Sequence, residues 1–218
     1  MFQTVIFDLD GTLLNTLEDL AEATNWVCVQ HGWPVHSTQE YQYFVGNGAP
    51  KLLERVAPPG TVLTEELRRQ TLEEFTQRYN AHKADKTTAY PGMTEAVRQM
   101  RQAGIILAVL SNKPNEAARP VVEQYYPGLF HKVQGALPGI PVKPDPTLLG
   151  LLMEELDARK ENTLFVGDSN VDIRTAKNGG LTSCGVLWGF RTRTELEAEG
   201  ADFLVENAEA LTDLILSS

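Results

Sequence analysis

The sequence has few cysteines and no long apolar run. Only two of its 218 residues are cysteines, Cys28 and Cys184, and they lie far apart without a C-x-x-C spacing. This pattern indicates neither a disulfide framework nor a zinc site, and we expect two buried thiols in a reducing cytoplasm. The longest purely apolar run, residues 105–110, is far too short to span a membrane. Without the basic segment and apolar core of a signal peptide at the amino terminus, we predict a cytoplasmic protein with no membrane partner.

Positive charge is also scarce. The chain has 19 Lys and Arg against 29 Asp and Glu, a formal net charge of -10. Nucleic acids and anionic membranes attract basic surfaces, so we predict no nucleic-acid partner. A small anionic substrate would need local cations, either side chains or Mg²⁺. The length suits one core with a smaller inserted domain.

From residue 87 onward, short apolar segments alternate with helical patterns. We predict buried strands at residues 5–7, 105–110, 163–166 and 183–187. Such alternation is typical of a mostly parallel sheet that is covered by helices on both faces. The predicted fold class is therefore α/β, with a Rossmann-like core.

The segment that follows the first strand shows helical patterns alone. Ser37 and Glu40 have the spacing of a capping box, Pro50 suits the first position of a helix, and a last long helix is predicted to run on towards Lys86. An all-helical block between the first two strands of a sheet is most simply a separate cap.

These patterns divide the chain into two predicted domains. Residues 1–14 and 87–218 would form a discontinuous α/β catalytic core, and residues 15–86 a helical cap domain. The two crossings between them would serve as hinges, and such a cap could close over a site and exclude water.

Two carboxylates, Asp8 and Asp10, leave the strand at residues 5–7 and precede Gly11 and Thr12. Once the chain bends at the glycine, the two acids can take separate roles around one metal ion, one attacking a substrate while the other handles a proton. A structural interpretation also stands, because Asp-Gly is a common turn pair and a carboxylate can cap a following helix.

Polar residues also follow the strand at residues 105–110. In open parallel sheets, ligands bind outside the carboxyl ends of the strands, which is where Ser111, Asn112 and Lys113 fall. Ser111 and its neighbouring N–H groups would make a phosphate cradle. Capping of the helix that Pro114 favours is the competing interpretation.

Lys143 stands among three prolines in residues 141–146. A solitary lysine is usually a solvated surface charge. Here the fixed φ of the prolines would hold the ammonium in place, where it could neutralise a transferring phosphoryl group.

Asp168 and Asp172 lie at the junction between the strand at residues 163–166 and a helix, where capping is again the alternative. Together with Asp8 and Asp10 they would form a cluster of hard oxygen ligands, which Mg²⁺ prefers. Carboxylates gathered without a cation would repel each other strongly.

In their order and strand placement, these motifs resemble the four motifs of the haloacid dehalogenase-like hydrolase superfamily. The motifs are Asp8-x-Asp10-Gly11-Thr12, Ser111, Lys143 and Gly167-Asp168-Ser169-x-x-Asp172. Within that superfamily, residues 45–53, Tyr90-Pro91-Gly92 and Ser111-Asn112-Lys113 look like phosphoglycolate phosphatases. Asn15 departs from the pattern, since many relatives carry Asp or Ser there.

The resemblance implies a mechanism and a set of roles. Asp8 would attack phosphorus to give an aspartyl-phosphate, and Asp10 would protonate the leaving alcohol and then activate water. Mg²⁺ would bind the Asp8 carboxylate, the Asp10 backbone carbonyl and Asp168, with Asp172 in support. The residues implied to bind phosphate are Thr12, Ser111, Asn112 and Lys143.

The function predicted from this resemblance is Mg²⁺-dependent hydrolysis of a small phosphomonoester, 2-phosphoglycolate above others, by a monomer or homodimer. In the cap, Gly46, Asn47 and Gly48 could bring backbone N–H groups to a second anionic end of the substrate. Three alternatives stay open: a phosphotransferase or mutase, a pyrophosphatase, and a receiver-like signalling domain in which a phosphoaspartate persists.

Overall fold

The computed structural model describes residues 2–217 and contains both strands and helices in the predicted alternation. The strands are β1 (Thr4–Phe7), β2 (Leu14–Asn15), β3 (Thr88–Ala89), β4 (Ile106–Pro114), β5 (Lys132–Ala136), β6 (Thr163–Gly167), β7 (Thr182–Val186) and β8 (Phe203–Val205). The helices are α1 (Leu17–Gln30), α2 (Thr38–Phe44), α3 (Ala49–Val56), α4 (Glu65–His82), α5 (Met93–Gln102), α6 (Asn115–Tyr125), α7 (Thr147–Glu155), α8 (Asn170–Gly179), α9 (Arg193–Ala198) and α10 (Ala208–Leu216).

The described chain forms two compact units. One runs up to Asn15 and resumes at Ala89, and the other spans Thr16–Thr88. The assignment of residues 1–14 and 87–218 to a catalytic core and of residues 15–86 to a cap domain stays a prediction. No helix among the described residues combines the length and the hydrophobicity that a membrane crossing requires.

The first unit contains a six-stranded parallel sheet with the order β5-β4-β1-β6-β7-β8. From β1 the chain adds β4 and β5 on one side and β6, β7 and β8 on the other. The strand order therefore reverses at β1, and in such sheets ligands bind outside the carboxyl ends of the strands at the point of reversal. This confirms the predicted α/β class and directs attention to the residues after β1.

Side chains of the sheet alternate between two apolar cores, as strand geometry requires. Val5 and Phe7 pack into one core with residues of α5 and α10, whereas Ile6 packs into the other with residues of α7 and α8. Burial on both faces explains why the central strands read as unbroken apolar runs.

Two strands of the six-stranded sheet, β5 and β8, were not predicted from the sequence, and both lie at an edge of the sheet. Their residues are largely half-buried or exposed, as Lys132 and Phe203 illustrate. Strand β5 lacks the continuous apolar run by which the central strands were recognised, and β8 is a run of only three apolar residues, which is too short to identify a strand from its pattern.

The second unit consists mainly of α1 to α4. The predicted capping box is present: the Ser37 N–H donates to the Glu40 carboxylate over 2.8 Å, and the Glu40 N–H donates to the Ser37 hydroxyl over 3.4 Å. Pro50 is the second residue of α3 and not the first, because the helix begins at Ala49 after the N-cap Gly48.

Helix α4 ends at His82 and does not continue to Lys86 as predicted. The buried Asp19 of α1 accepts hydrogen bonds from the Lys86 N–H over 3.0 Å and from the Thr87 N–H over 2.8 Å. These backbone donors bind a carboxylate instead of extending the helix, which the local sequence pattern does not reveal.

Candidate active site

Asp8 directly follows the last residue of β1, at the carboxyl end of the sheet. Its N–H donates to the Val166 carbonyl over 2.8 Å, so the position is fixed by the ladder to β6. Gly11 then turns the chain with φ of 95°, a conformation that favours glycine. A Cβ at Gly11 would lie 2.4 Å from an Asp168 carboxylate oxygen, which shows how closely this turn approaches that acid.

Three buried carboxylates meet at this edge of the sheet. Asp8, Asp168 and Asp172 each place a carboxylate oxygen within 4.8 Å of the other two. Asp168 follows β6, and Asp172 lies in the first turn of α8. Motifs that are 160 residues apart in the sequence thus come together because their parallel strands are neighbours in the sheet.

Lys143 lies among these acids. Its Nζ is 2.8 Å from Asp8 Oδ1 and 2.7 Å from Asp172 Oδ1, and the side chain is buried. Asn112 fixes the backbone of Lys143 from both sides, since its Oδ1 accepts from the Lys143 N–H over 2.8 Å and its Nδ2 donates to the Lys143 carbonyl over 3.0 Å. The lysine is therefore held as a fixed cation and is no solvated surface charge.

The other two acids are oriented by their own neighbours. The Thr12 hydroxyl and the Phe190 N–H donate to the two oxygens of Asp168 over 3.1 and 2.7 Å. Asp172 Oδ2 accepts from the N–H and the hydroxyl of Ser169 in a capping box. Asp172 thus caps α8 with one oxygen and contacts Lys143 with the other. The two interpretations of this residue, a helix cap and a member of the carboxylate cluster, are therefore compatible.

Burial and mutual repulsion shape the electrostatics of the cluster. Burial, together with the charge of Asp172, raises the pKa of Asp8 well above its usual range and the pKa of Asp168 to about 7. Burial by itself would lower the pKa of Lys143, but the carboxylates of Asp172 and Asp8 raise it above its ordinary value. The three acids carry more negative charge than Lys143 can balance.

This imbalance and the donor set suit a divalent cation. Clustered carboxylate oxygens are the ligands of hard cations such as Mg²⁺. A cation would offset the burial and the mutual repulsion that together raise the pKa values of Asp8 and Asp168. The site residues thus fit a divalent metal bound by Asp8, Asp168 and Asp172.

The Asp10 carboxylate lies apart from the group of three. It pairs with Lys113, whose Nζ is 3.0 Å from Oδ1 and 3.1 Å from Oδ2. Sequence reasoning placed Lys113 beside the site but gave it no role. Its position in a polar run directly after buried strand residues was the available signal.

The remaining predicted residues lie as follows. Ser111 is buried at the carboxyl end of the sheet, and its hydroxyl accepts from the Lys113 N–H over 3.2 Å. Thr12 is fully buried with its hydroxyl on Asp168. Phosphate binding by Thr12, Ser111, Asn112 and Lys143 stays a prediction.

The predicted specificity residues belong to the helical unit. Gly46 and Gly48 have φ of 109° and 82°, and Gly48 is the N-cap of α3. Between them, Asn47 Oδ1 accepts from Arg55 Nη2 over 2.8 Å, and Arg55 Nη1 also donates to the Phe44 carbonyl over 2.7 Å. The loop is thereby fixed within its own unit, and its part in substrate selection stays a prediction.

The loop after β7 also supports the site, which sequence reasoning missed. The Phe190 N–H binds Asp168, and the Trp188 indole donates to the Thr12 carbonyl over 3.0 Å. Gly189 lies so close that a Cβ there would be 2.2 Å from the Cβ of Asp168. The signal was the glycine between two aromatic residues shortly after a strand.

Known proteins of one family are similar to this chain. The profile of the haloacid dehalogenase-like hydrolases matches residues 5–186. A phosphoglycolate phosphatase of Vibrio cholerae serotype O1 is 33% identical, over 98% of this chain and 97% of the relative. One of Vibrio parahaemolyticus is 32% identical, over 98% and 96%.

A solved structure from Lactobacillus delbrueckii subsp. bulgaricus, provisionally named a phosphoglycolate phosphatase, superposes with a TM-score of 0.92 at 32% identity. The match covers 100% of this chain and 99% of that one. The chain therefore belongs to the haloacid dehalogenase-like hydrolase family. The resemblance inferred from the four motifs is confirmed.

Proposed function

We propose that the protein is a divalent metal-dependent phosphatase that hydrolyses 2-phosphoglycolate through an aspartyl-phosphate on Asp8. The observation that carries the proposal is the buried Asp8 carboxylate, which Lys143 contacts over 2.8 Å in a group with Asp168 and Asp172. The choice of 2-phosphoglycolate rests on the relatives that bear the name phosphoglycolate phosphatase.

In the first step, an oxygen of Asp8 bonds to phosphorus while the bond from phosphorus to the glycolate oxygen breaks. Asp10 gives its proton to that leaving oxygen. Asp10 then takes a proton from water, the water oxygen bonds to phosphorus, and the bond to Asp8 breaks to release phosphate. A covalent carboxylate nucleophile divides one difficult displacement into two easier ones.

The other residues would position the phosphoryl group and neutralise its negative charge. Lys143 lies between Asp8 and Asp172 and would offset the negative charge of the phosphoryl group near the nucleophile. Ser111 and Asn112, in the carboxyl-terminal half of β4, would bind phosphoryl oxygens. Because phosphoryl transfer depends mainly on position and charge, these fixed groups matter as much as the nucleophile.

We assign Mg²⁺ to Asp8, Asp168 and the Asp10 backbone carbonyl, with Asp172 in support. When bound, the ion would supply positive charge against the phosphoryl oxygens. The fit rests on the oxygen donor set and on burial, which together with the negative charge of Asp172 raises the pKa values of Asp8 and Asp168.

The proposed substrate carries a second anionic end, a carboxylate. We assign its selection to the loop of Gly46, Asn47 and Gly48, whose glycines leave backbone N–H groups accessible to a close ligand. The bond from Arg55 to Asn47 would keep that loop in one conformation.

Phosphate release from a panel of phosphate compounds tests the proposal. The panel contains 2-phosphoglycolate, sugar phosphates, nucleotides and pyrophosphate, each with Mg²⁺ and with excess chelator. We expect a strong, Mg²⁺-dependent preference for 2-phosphoglycolate. A preference for pyrophosphate, transfer of phosphate to a sugar, or a stable phosphoenzyme without turnover would contradict it.

A further inference from the structure

We propose that Lys113 is a positioning residue that holds the Asp10 carboxylate in the orientation in which it exchanges a proton with the leaving group. This inference rests on the proposed function, because it takes Asp10 as the acid of the first step. Lys113 is outside the four motifs, and the mechanism above gives it no role.

The geometry of the pair carries the inference. Lys113 Nζ lies 3.0 and 3.1 Å from the two Asp10 oxygens, so the ammonium is centred on the carboxylate and resists its rotation to either side. The terminal torsion of an aspartate is otherwise broad. Without this contact, Asp10 would rest on a loop with no comparable restraint among its described hydrogen bonds.

Exposure shows from which side the lysine acts. The Lys113 side chain is 4% exposed, whereas that of Asp10 is 20% exposed. The ammonium therefore meets the carboxylate from the protein interior and leaves an edge of it open. An acid that must reach a substrate oxygen needs such an open edge.

The backbone of Lys113 is itself fixed. Strand β4 continues through this residue with a register shift between Leu110 and Pro114, and such irregularities redirect side chains near active sites. The adjacent β5 approaches so closely that a Cβ at Gly135 would be 2.6 Å from the Lys113 carbonyl oxygen. A cation on a fixed strand can orient a group on a loop.

The two buried lysines contact different carboxylates. Lys143 contacts Asp8 and Asp172, and Lys113 contacts Asp10. Loss of Lys143 should therefore weaken attack by Asp8 on every substrate. Loss of Lys113 should weaken proton transfer alone, and this difference can be measured.

Proton transfer matters most for a basic leaving group. An alkoxide needs a proton as it departs, whereas p-nitrophenolate leaves readily without one. The value of kcat/KM reports the steps up to release of the alcohol, so it isolates the step in which Asp10 acts as an acid.

The experiment compares kcat/KM for ethyl phosphate, 2-phosphoglycolate and p-nitrophenyl phosphate. For Lys113→Met we expect a loss of about 10²-fold with the two alkyl esters and of at most about threefold with the nitrophenyl ester. Lys113→Arg, which keeps the charge, should move the alkyl-to-aryl ratio back towards that of the parent. Because the ratio is taken within one preparation, a partly unfolded variant does not distort it.

Two further variants complete the design. Lys132→Met removes a lysine from β5 that pairs with Glu155 on the surface, and it should leave every rate unchanged. Asp10→Asn should show the same selective loss as Lys113→Met. Adding Lys113→Met to Asp10→Asn should then cost nothing more with ethyl phosphate, because the group to be positioned is gone.

Several results would overturn the inference. An equal loss with all three esters would make Lys113 a general structural residue. A loss confined to 2-phosphoglycolate would make it a contact for the substrate carboxylate, and a further loss in the double variant would separate it from Asp10. In each case the phosphatase proposal would survive, whereas a parent that hydrolyses none of the esters would refute both.

Discussion

At the scale of single residues, the site depends on buried polar side chains that fix one another. Asn112 illustrates this, because both ends of its amide bond the backbone of Lys143. The sequence indicated the site by residue type and strand position. It could not indicate this pairing, since Asn112 and Lys143 belong to segments that meet only in the folded sheet.

Replacing Asn112 tests that pairing. Asn112→Ala would leave a buried N–H and a buried carbonyl of Lys143 without these partners, and we expect the free energy of unfolding to fall by about 2 kcal/mol. Asn178 donates to the Pro144 carbonyl of the same loop from an exposed position, so Asn178→Ala should cost less than about 0.5 kcal/mol. Urea unfolding measures both, and equal losses would contradict the assignment.

The raised pKa of Asp168 predicts that metal binding depends on pH. Its pKa is raised from 3.8 to about 7 in the metal-free protein. The folded state therefore binds more protons than the unfolded state between these values, and this group destabilises the metal-free fold as pH rises through that window. A metal must displace the proton, so its affinity should grow over the same window.

Thermal unfolding with and without Mg²⁺ at pH 5, 6, 7 and 8 checks this expectation. The increase in Tm on addition of Mg²⁺ should be small at pH 5 and larger at pH 8. Asp168→Asn should lose most of the increase at every pH. An increase in Tm that is independent of pH in the parent would count against metal binding by this cluster.

At the scale of elements, the site is made by turns that follow parallel strands. The central strands β1, β4 and β6 were predictable because burial on both faces gives them apolar runs. The extension of β4 through Pro114 was not predictable, because the polar residues at the end of this strand have the pattern of a loop. Strands β5 and β8 were not predictable either, because they are short, lie at the edges of the sheet and are incompletely buried.

The loop after β7 offers a test at this scale. Gly189→Ala would place a Cβ 2.2 Å from the Cβ of Asp168 and 2.5 Å from the Gly11 carbonyl oxygen. Backbone must therefore move, and we expect a loss of stability of about 1–3 kcal/mol together with weaker Mg²⁺ binding. Gly150 in α7 has no atom near the position of an added Cβ, so Gly150→Ala should be neutral or stabilising.

Unfolding by urea and Mg²⁺ titration of both variants measure these effects. A Gly189→Ala protein that binds Mg²⁺ as tightly as the parent would show that the loop after β7 does not position Asp168.

At the scale of the whole molecule, the topology of the sheet brings residues of the four motifs together. The strand order reverses at β1, and β4 and β6 are its direct neighbours on either side. This arrangement brings Asp8, Ser111 and Asp168 to one edge of the sheet. The order of motifs in the sequence predicted this much. For the selection of the substrate, which we propose for the helical unit, the sequence offered only a short glycine loop.

The most direct test of the central claim compares the parent with Asp8→Asn. Phosphate release from 2-phosphoglycolate with Mg²⁺ is followed, together with acid-quenched mass spectrometry of the peptide that contains residue 8. The account predicts rapid turnover and a phosphorylated Asp8 peptide in the parent, and a loss of at least about 10³-fold without phosphopeptide in a folded Asp8→Asn. Turnover near the parent rate in Asp8→Asn would contradict it.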